Sequence, residues 1–194
     1  MAQVLLAIDQ FGVLSAFSRD GATWRGPDSA RSGAFVPGSP VAVFEISQTS
    51  FMALSVDRIG YLNTASFDAN LGWQVMDVVG NANFVPGCQI AVFKPGDTTY
   101  AALLVDRYGI LNVASYDISS GWNELRTAGS ATFVPGSSIG VAKVDAATYA
   151  AAIVDTLGLL NLFSFDPTAS ASGPDTVGCA SYGPASSVSS CSDA

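Results

Sequence analysis

Apolar residues in this chain fall in short blocks, and the spacing of those blocks sets the first expectation. Between residues 84 and 132 the blocks are Ile90-Ala91-Val92-Phe93, Tyr100-Ala101-Ala102-Leu103-Leu104-Val105, Ile110-Leu111-Asn112-Val113-Ala114-Ser115-Tyr116, and a segment opening at Trp122. The second block is almost wholly apolar, as a strand covered on both faces must be. Turn-forming groups separate them: Pro95-Gly96-Asp97, Asp106-Arg107-Tyr108-Gly109 and Ser119-Ser120-Gly121. No stretch carries the 3.6-residue period of an amphipathic helix. Short strands at this spacing predict an all-β antiparallel fold with four strands per unit.

The unit recurs. Phe35-Val36-Pro37-Gly38 returns unchanged at Phe84 and at Phe133, 49 residues apart each time. Asp57, Asp106 and Asp155 each open an Asp-x-x-Gly turn 22 residues after their Phe, and Trp73 and Trp122 follow their Asp by 16. Four strands in a repeat of this length make the blade of a β-propeller. The N-terminus enters in mid-repeat, with Asp9, Gly12, Leu14, Ser18 and Trp24 reproducing the Asp-to-Trp half. Tyr182-Gly183-Pro184-Ala185, 49 residues after Phe133, is a degenerate fourth copy of the tetrapeptide.

The expected architecture is therefore one domain over 1–194, a four-bladed β-propeller. Its blades are 35–83, 84–132, 133–181, and a shared blade from 182–194 plus 1–34. Strands from both termini close the ring, with about Ser186–Ser190 as the inner strand of the shared blade. A domain-swapped, eight-bladed homodimer satisfies the same sequence. The region 167–192, rich in Ser, Ala and Gly and with Ala171 in the Trp slot, predicts a loosely packed closing segment.

Composition narrows the function classes. With a net charge of −8, the chain repels phosphate, which argues against nucleic acid and anionic membranes as partners. No apolar run approaches the roughly 20 residues of a membrane helix. Residues 1–9 lack the basic region and apolar core of a signal peptide, so the expected location is cytoplasmic. Cys88 stands in a slot filled elsewhere by Ser39 and Ser137 and reads as a small core residue. Spacing leaves a Cys179–Cys191 disulfide open, although a reducing compartment disfavours it.

The chain has no histidine, which removes the usual general base and metal ligand. It has no Gly-x-Ser-x-Gly, P-loop or dinucleotide fingerprint, and Glu45 and Glu124 occupy unrelated slots. No catalytic residue, cofactor or metal is assigned. The turn Asp residues read as structural, since the first position of such a turn favours a carboxylate that accepts backbone N–H groups. Arg58 and Arg107 follow two of them, where the other repeats carry Gln10 and Thr156. The next positions are Phe11, Ile59, Tyr108 and Leu157. That rim alternates polar donors with apolar or aromatic groups and is suited to a sugar face; the alternative is a solvated turn. Trp24, Trp73 and Trp122 sit at strand starts, where an indole either packs between blades or exposes its ring at their interface.

The unit Val-Asp-x-x-Gly-x-Leu-x-x-x-Ser-x-Asp…Gly-Trp, read from Val56 to Trp73 and from Val105 to Trp122, resembles the blades of fungal fucose-specific lectins and related bacterial propeller lectins. The resemblance implies sugar pockets between adjacent blades, held by Arg and Glu hydrogen bonds and an aromatic platform. It points to Arg58, Arg107, Trp73 and Trp122. This chain departs from the pattern in having four blades rather than six or more, no repeated Glu, and Arg in two blades only. The leading expectation is a carbohydrate-binding protein whose ligand residues are Arg58, Arg107, Tyr108, Trp73, Trp122 and Trp24. The alternatives are a cofactor-free enzyme whose apolar pocket guides cyclisation or isomerisation of a hydrophobic metabolite, and a structural interaction scaffold.

Overall fold

The computed structural model describes residues 3–30, 34–80, 83–129, 132–177, 182, 183, 186 and 188. The chain divides into two compact units, Met1–Cys88 and Gln89–Ala194. Strands and turns make up the described residues, with no helix long and apolar enough to cross a membrane. Every strand pairing is antiparallel.

The first unit holds two sheets. One has three strands in the order β1 (Gln3–Ile8), β2 (Leu14–Asp20), β3 (Thr23–Ser29). The other has four in the order β4 (Ala42–Glu45), β5 (Ser50–Val56), β6 (Leu62–Asp68), β7 (Gly72–Val78). In the second unit β8 (Ala91–Phe93), β9 (Thr99–Val105) and β10 (Leu111–Asp117) are followed by an outer strand in two pieces. These pieces, β11 (Gly121–Trp122) and β12 (Arg126–Thr127), both pair with β10. The last sheet runs β13 (Gly140–Lys143), β14 (Tyr149–Val154), β15 (Leu160–Phe165), β16 (Ala171–Val177). The apolar blocks of the sequence thus become strands to within about one residue at each end.

The broken outer strand was not expected. Asn123 donates its backbone N–H to Ser115 O at 2.9 Å, in register with the Tyr116–Trp122 pair, and its side-chain amide reaches Ser115 Oγ at 3.2 Å; pairing resumes at Arg126 opposite Val113, shifted by one residue. The other three sheets shift register at the same point, between Ala16 and Ser18, Ala65 and Phe67, and Leu162 and Ser164. An extra residue on an outer strand produces this kind of bulge. Pro27 and Pro174 lie within β3 and β16, the last strands of their sheets among the described residues, where a missing N–H costs no ladder bond. Of the segment 167–192, expected to be loose, residues Ala171–Val177 form β16 and pair with β15 apart from a bulge, with most of the strand exposed, and much of the remainder lies outside the described residues.

Burial follows the strand order. β5 and β9 are buried along all but their first residue. In the first unit Ile8, Leu14, Ala30, Phe35, Ala53 and Ala65 form one core, with Trp73 and Met76 packed against it. In the second, Phe93, Leu103, Val113, Phe133, Ile153 and Phe163 belong to another. The Phe of each tetrapeptide is fully buried.

Each tetrapeptide is also tied to the turn before it. Phe35, Phe84 and Phe133 donate their N–H groups to Gly12, Gly60 and Gly109, and Tyr182 donates to Gly158 in the same way. A Cβ on Gly12, Gly109 or Gly158 would collide with the carbonyl oxygen of Phe35, Phe133 or Tyr182 respectively, and each of these glycines has positive φ. Ser186 N–H bonds Gly183 O as Ser39, Cys88 and Ser137 bond Val36, Val85 and Val134. The described residues of the fourth copy therefore make the same two backbone bonds as the intact ones, although Tyr182 is 43% exposed where each Phe is buried.

The turn carboxylates are structural. Asp57 accepts from the N–H groups of Ile59 and Tyr61 at 3.0 and 2.9 Å and from Asn63 Nδ2 at 2.9 Å. Asp106 does the same with Tyr108, Ile110 and Asn112, and Asp155 with Leu157, Leu159 and Asn161. At 6, 7 and 9% exposure these carboxylates are too buried to meet a ligand. Cys88 shares its buried slot with Ser39 and Ser137, and burial pushes its thiol up to about 11. Cys179 and Cys191 lie outside the described residues.

Acid should act through the carboxylates whose hydrogen bonds lower their pKa, Asp117 and Asp155 among them. The Ser119 hydroxyl, then that of Thr98, hold Asp117 down at about 2. At Asp155 burial raises the pKa, but the donors Leu159, Asn161 and Leu157 outweigh it and the net shift is downward. Hydrogen bonds also lower Asp68 and Asp166. A depressed folded pKa stabilises the fold above the unfolded carboxylate value, and that stability is lost as pH falls through the folded one. Urea midpoints should hold steady down to about pH 5 and fall between about pH 4 and 2. A midpoint that does not drop across that interval would contradict this assignment.

Candidate functional site

The six candidate residues separate into two sets at opposite strand ends. Arg58 sits in the β5–β6 turn and Arg107 and Tyr108 in the β9–β10 turn, whereas Trp73 and Trp122 lie at the far ends of β6 and β10. Leu62 marks one end of β6, and Phe67, opposite Trp73, marks the other. Five strand steps separate them by roughly 17 Å. Arg58 and Trp73 therefore do not converge on one monosaccharide, and neither do Arg107 and Trp122, which stand at corresponding ends of β10.

Arg58 is committed to the backbone. Its Nε donates to Phe35 O at 2.7 Å and its Nη2 to Phe11 O at 3.3 Å. The guanidinium thereby fastens the turn of the first sheet and the tetrapeptide to the second sheet. Tyr108 is 67% exposed and Arg107 is exposed beside it. Phe11 and Ile59 in the first unit, and Leu157 in the second, are exposed apolar groups on the same turns.

The three indoles share a sequence slot but differ in surroundings. Trp24 is 43% exposed, and the Arg19 guanidinium carbon lies 5.9 Å from its ring centroid. Trp122 is half-buried with its ring 5.2 Å from Tyr116. Trp73, also half-buried, meets Phe67 edge-on at 5.1 Å. Its indole N–H donates to the backbone carbonyl of Asp28 at 2.9 Å. That bond ties β7 to the neighbouring β3 and fixes the ring.

Beside this bond is a cleft of about 550 Å³, lined by Asp28, Ser29, Ala30, Leu71, Gly72, Trp73, Gln74, Val75 and Met76. Gly72, at φ +77, makes room there: a Cβ at this position would lie 2.6 Å from Asp28 Oδ2. Gln74 Nε2 donates to the Leu71 and Gly72 carbonyls, bracing the turn at the mouth. The arrangement offers an indole, a carboxylate and a hydroxyl on a fixed frame. Sequence reasoning chose Trp73 and missed Asp28. The available signal was Gly26-Pro27-Asp28, which returns three periods later as Gly173-Pro174-Asp175. Among the described residues no group of His, Cys, Asp or Glu side chains is arranged to hold a metal.

No protein-family model matches the sequence, and no curated protein matches it. Solved structures do. The chain is similar to the BP39L lectin of Burkholderia pseudomallei, with 23% identity over 96% of this chain and 55% of that one, at a TM-score of 0.83. It is also similar to the fucose-specific lectin of Aleuria aurantia, at 15% identity, 87% and 54% coverage, and a TM-score of 0.59. A further structure of the Aleuria lectin, described as a six-bladed β-propeller, covers 96% of this chain and 61% of its own, with 14% identity and a TM-score of 0.60. The fold is thus that of the propeller lectins, and this chain spans about half the length of the first two.

The Arg58 bonds carry a testable consequence. Arg58→Ala removes two bonds from a charged donor and should cost about 1–3 kcal/mol of stability, seen as a lower urea midpoint. An unchanged midpoint for Arg58→Ala would show that the two carbonyl contacts contribute nothing.

Proposed function

We propose that this chain is a carbohydrate-binding protein, with a sugar lying against Trp73 in the cleft between β3 and β7. The observation that carries the reading is the 2.9 Å bond from the Trp73 indole to Asp28 O. It holds an aromatic platform in place before a ligand arrives, so little ordering cost remains. The lining supplies Asp28 and Ser29 as polar partners for hydroxyls. This mixed lining suits a sugar better than the wholly apolar cavity that a cyclase or isomerase of hydrophobic substrates would need. The lectin neighbours add support, since several are described as fucose-specific or as fucoside complexes. On the turn rim, Arg107 and Tyr108 are a second candidate contact.

For the architecture we propose four blades, with a segment from about residue 186 through Cys191 supplying the strand that the first sheet lacks. β5, β9 and β14 each have an inner neighbour, while β1 pairs with β2 alone among the described residues. Cys191 occupies the repeat slot of Phe44, Phe93 and Ala142, which pair with Met52, Ala101 and Ala150. The corresponding residue of β1 is Val4. In a Cys88→Ser/Cys179→Ser background, Val4→Cys should form a disulfide with Cys191 on oxidation, since paired strands bring Cα atoms within bridging range. A bridge within one chain supports a four-bladed ring, and a bridge between chains supports the domain-swapped dimer. Failure to cross-link would sink both.

Binding is tested on a glycan array with the wild type, Trp73→Ala, Trp73→Phe and Arg107→Ala. Trp73→Ala should weaken binding at least about tenfold, which corresponds to about 1.4 kcal/mol, and Trp73→Phe, which keeps an aromatic ring but loses the N–H that fixes it, should weaken binding by a smaller factor. A blank array from folded wild-type protein would remove the carbohydrate reading.

A further inference from the structure

We propose that the β3–β7 cleft selects a sugar bearing a free amino group, with the ammonium on Asp28 and the pyranose ring against Trp73. The inference rests on the carbohydrate reading above and specifies its ligand class.

The charge of the cleft is the starting point. Asp28 is the one ionisable side chain among its nine lining residues. Neither Arg19 nor Arg25, the cations on β2 and β3 of the same sheet, lines it. The carboxylate packs over Gly72, where a Cβ would lie 2.6 Å from its Oδ2, and both residues line the cleft. The Trp73 bond uses the backbone carbonyl of Asp28, so that contact leaves the carboxylate oxygens to a ligand. Trp73 lies on the next strand edge, held to the same residue.

A carboxylate beside a fixed indole is the pairing that recognises an ammonium. The cation gains a charge-assisted hydrogen bond from one and attraction to the ring face from the other. A neutral hydroxyl gains only an ordinary hydrogen bond at the same place. An anionic sugar meets repulsion from Asp28 within a chain of net charge −8. The remaining lining, Leu71, Val75 and Met76, offers apolar contact to the ring carbons. The order of preference that follows is amino sugar, then neutral sugar, then uronic or sulfated sugar.

The experiment titrates the full chain with three short oligosaccharides of equal length, followed by calorimetry and tryptophan fluorescence. These are a fully deacetylated chitooligosaccharide, its N-acetylated counterpart and a uronic acid oligomer. The expected result is at least tenfold tighter binding of the deacetylated form than of the acetylated one, and no binding of the uronic oligomer. Asp28→Asn should erase that preference. Asp145→Asn, which makes the same change of net charge in an exposed turn of the second unit, should leave it intact. Equal affinity for the acetylated and free-amine oligomers would overturn the inference. So would an unaltered preference in Asp28→Asn, or equal losses in Asp28→Asn and Asp145→Asn, which would mark simple attraction of a polycation to an acidic surface. Binding of neutral glycans that needs Trp73 but ignores the amine would overturn this inference and leave the carbohydrate reading standing. Absence of binding by any glycan would end both.

Discussion

The structure depends on a carboxylate that is nearly out of water and satisfied by its own turn. A buried, ionised Asp is tolerated only when donors replace its hydration. At Asp57, Asp106 and Asp155 the replacements are two backbone N–H groups of the turn and one Asn amide. The same turn places a glycine whose carbonyl receives the N–H of the next tetrapeptide. One side chain therefore sets the hairpin between the two central strands and, through the glycine, the start of the following sheet.

The N-terminal sheet shows what happens when part of this arrangement changes. Asp9 keeps the two turn donors, from Phe11 and Val13. The Asn position is filled by Ser15, whose hydroxyl pairs instead with Ser29 at 3.1 Å. Asp9 is exposed where its counterparts are buried. The turn survives because the backbone donors come from local geometry. The buried setting is what the Asn amide accompanies.

Function on such a frame comes from departures between repeats. The Trp slot holds Trp24, Trp73, Trp122 and Ala171 at equivalent points, yet the neighbours decide what each does. Arg19 lies over one ring, Tyr116 beside another, and the Asp28 carbonyl anchors the third. Of these, Trp73 lines a cleft of useful size. Arg58, chosen by residue type as a ligand donor, bonds Phe35 O through Nε and Phe11 O through Nη2. A guanidinium beside two outward-facing carbonyls satisfies them more readily than it waits for a sugar.

The sequence by itself determined the strands, the turns and the repeat. Their causes are local: apolar blocks of strand length, Asp and Gly at fixed turn offsets, and a buried Phe every 49 residues. These cues are enough to place Tyr182 as a fourth tetrapeptide, and its bond to Gly158 follows the others. The bulges and the break at Asn123 were illegible, because they depend on which backbone group wins a particular cross-strand partner. So was the cleft. Trp73 could be picked from the chain as an aromatic at a strand start, but Asp28 lies 45 residues earlier and its meaning arises only where β3 meets β7. That the Arg58 turn and the turn before Trp73 stand at opposite ends of a strand follows from their places before and after β6 in the chain; tertiary structure alone decided that an acidic group stands beside the indole. Sequence periodicity repeats positions. It does not say which of them share a space.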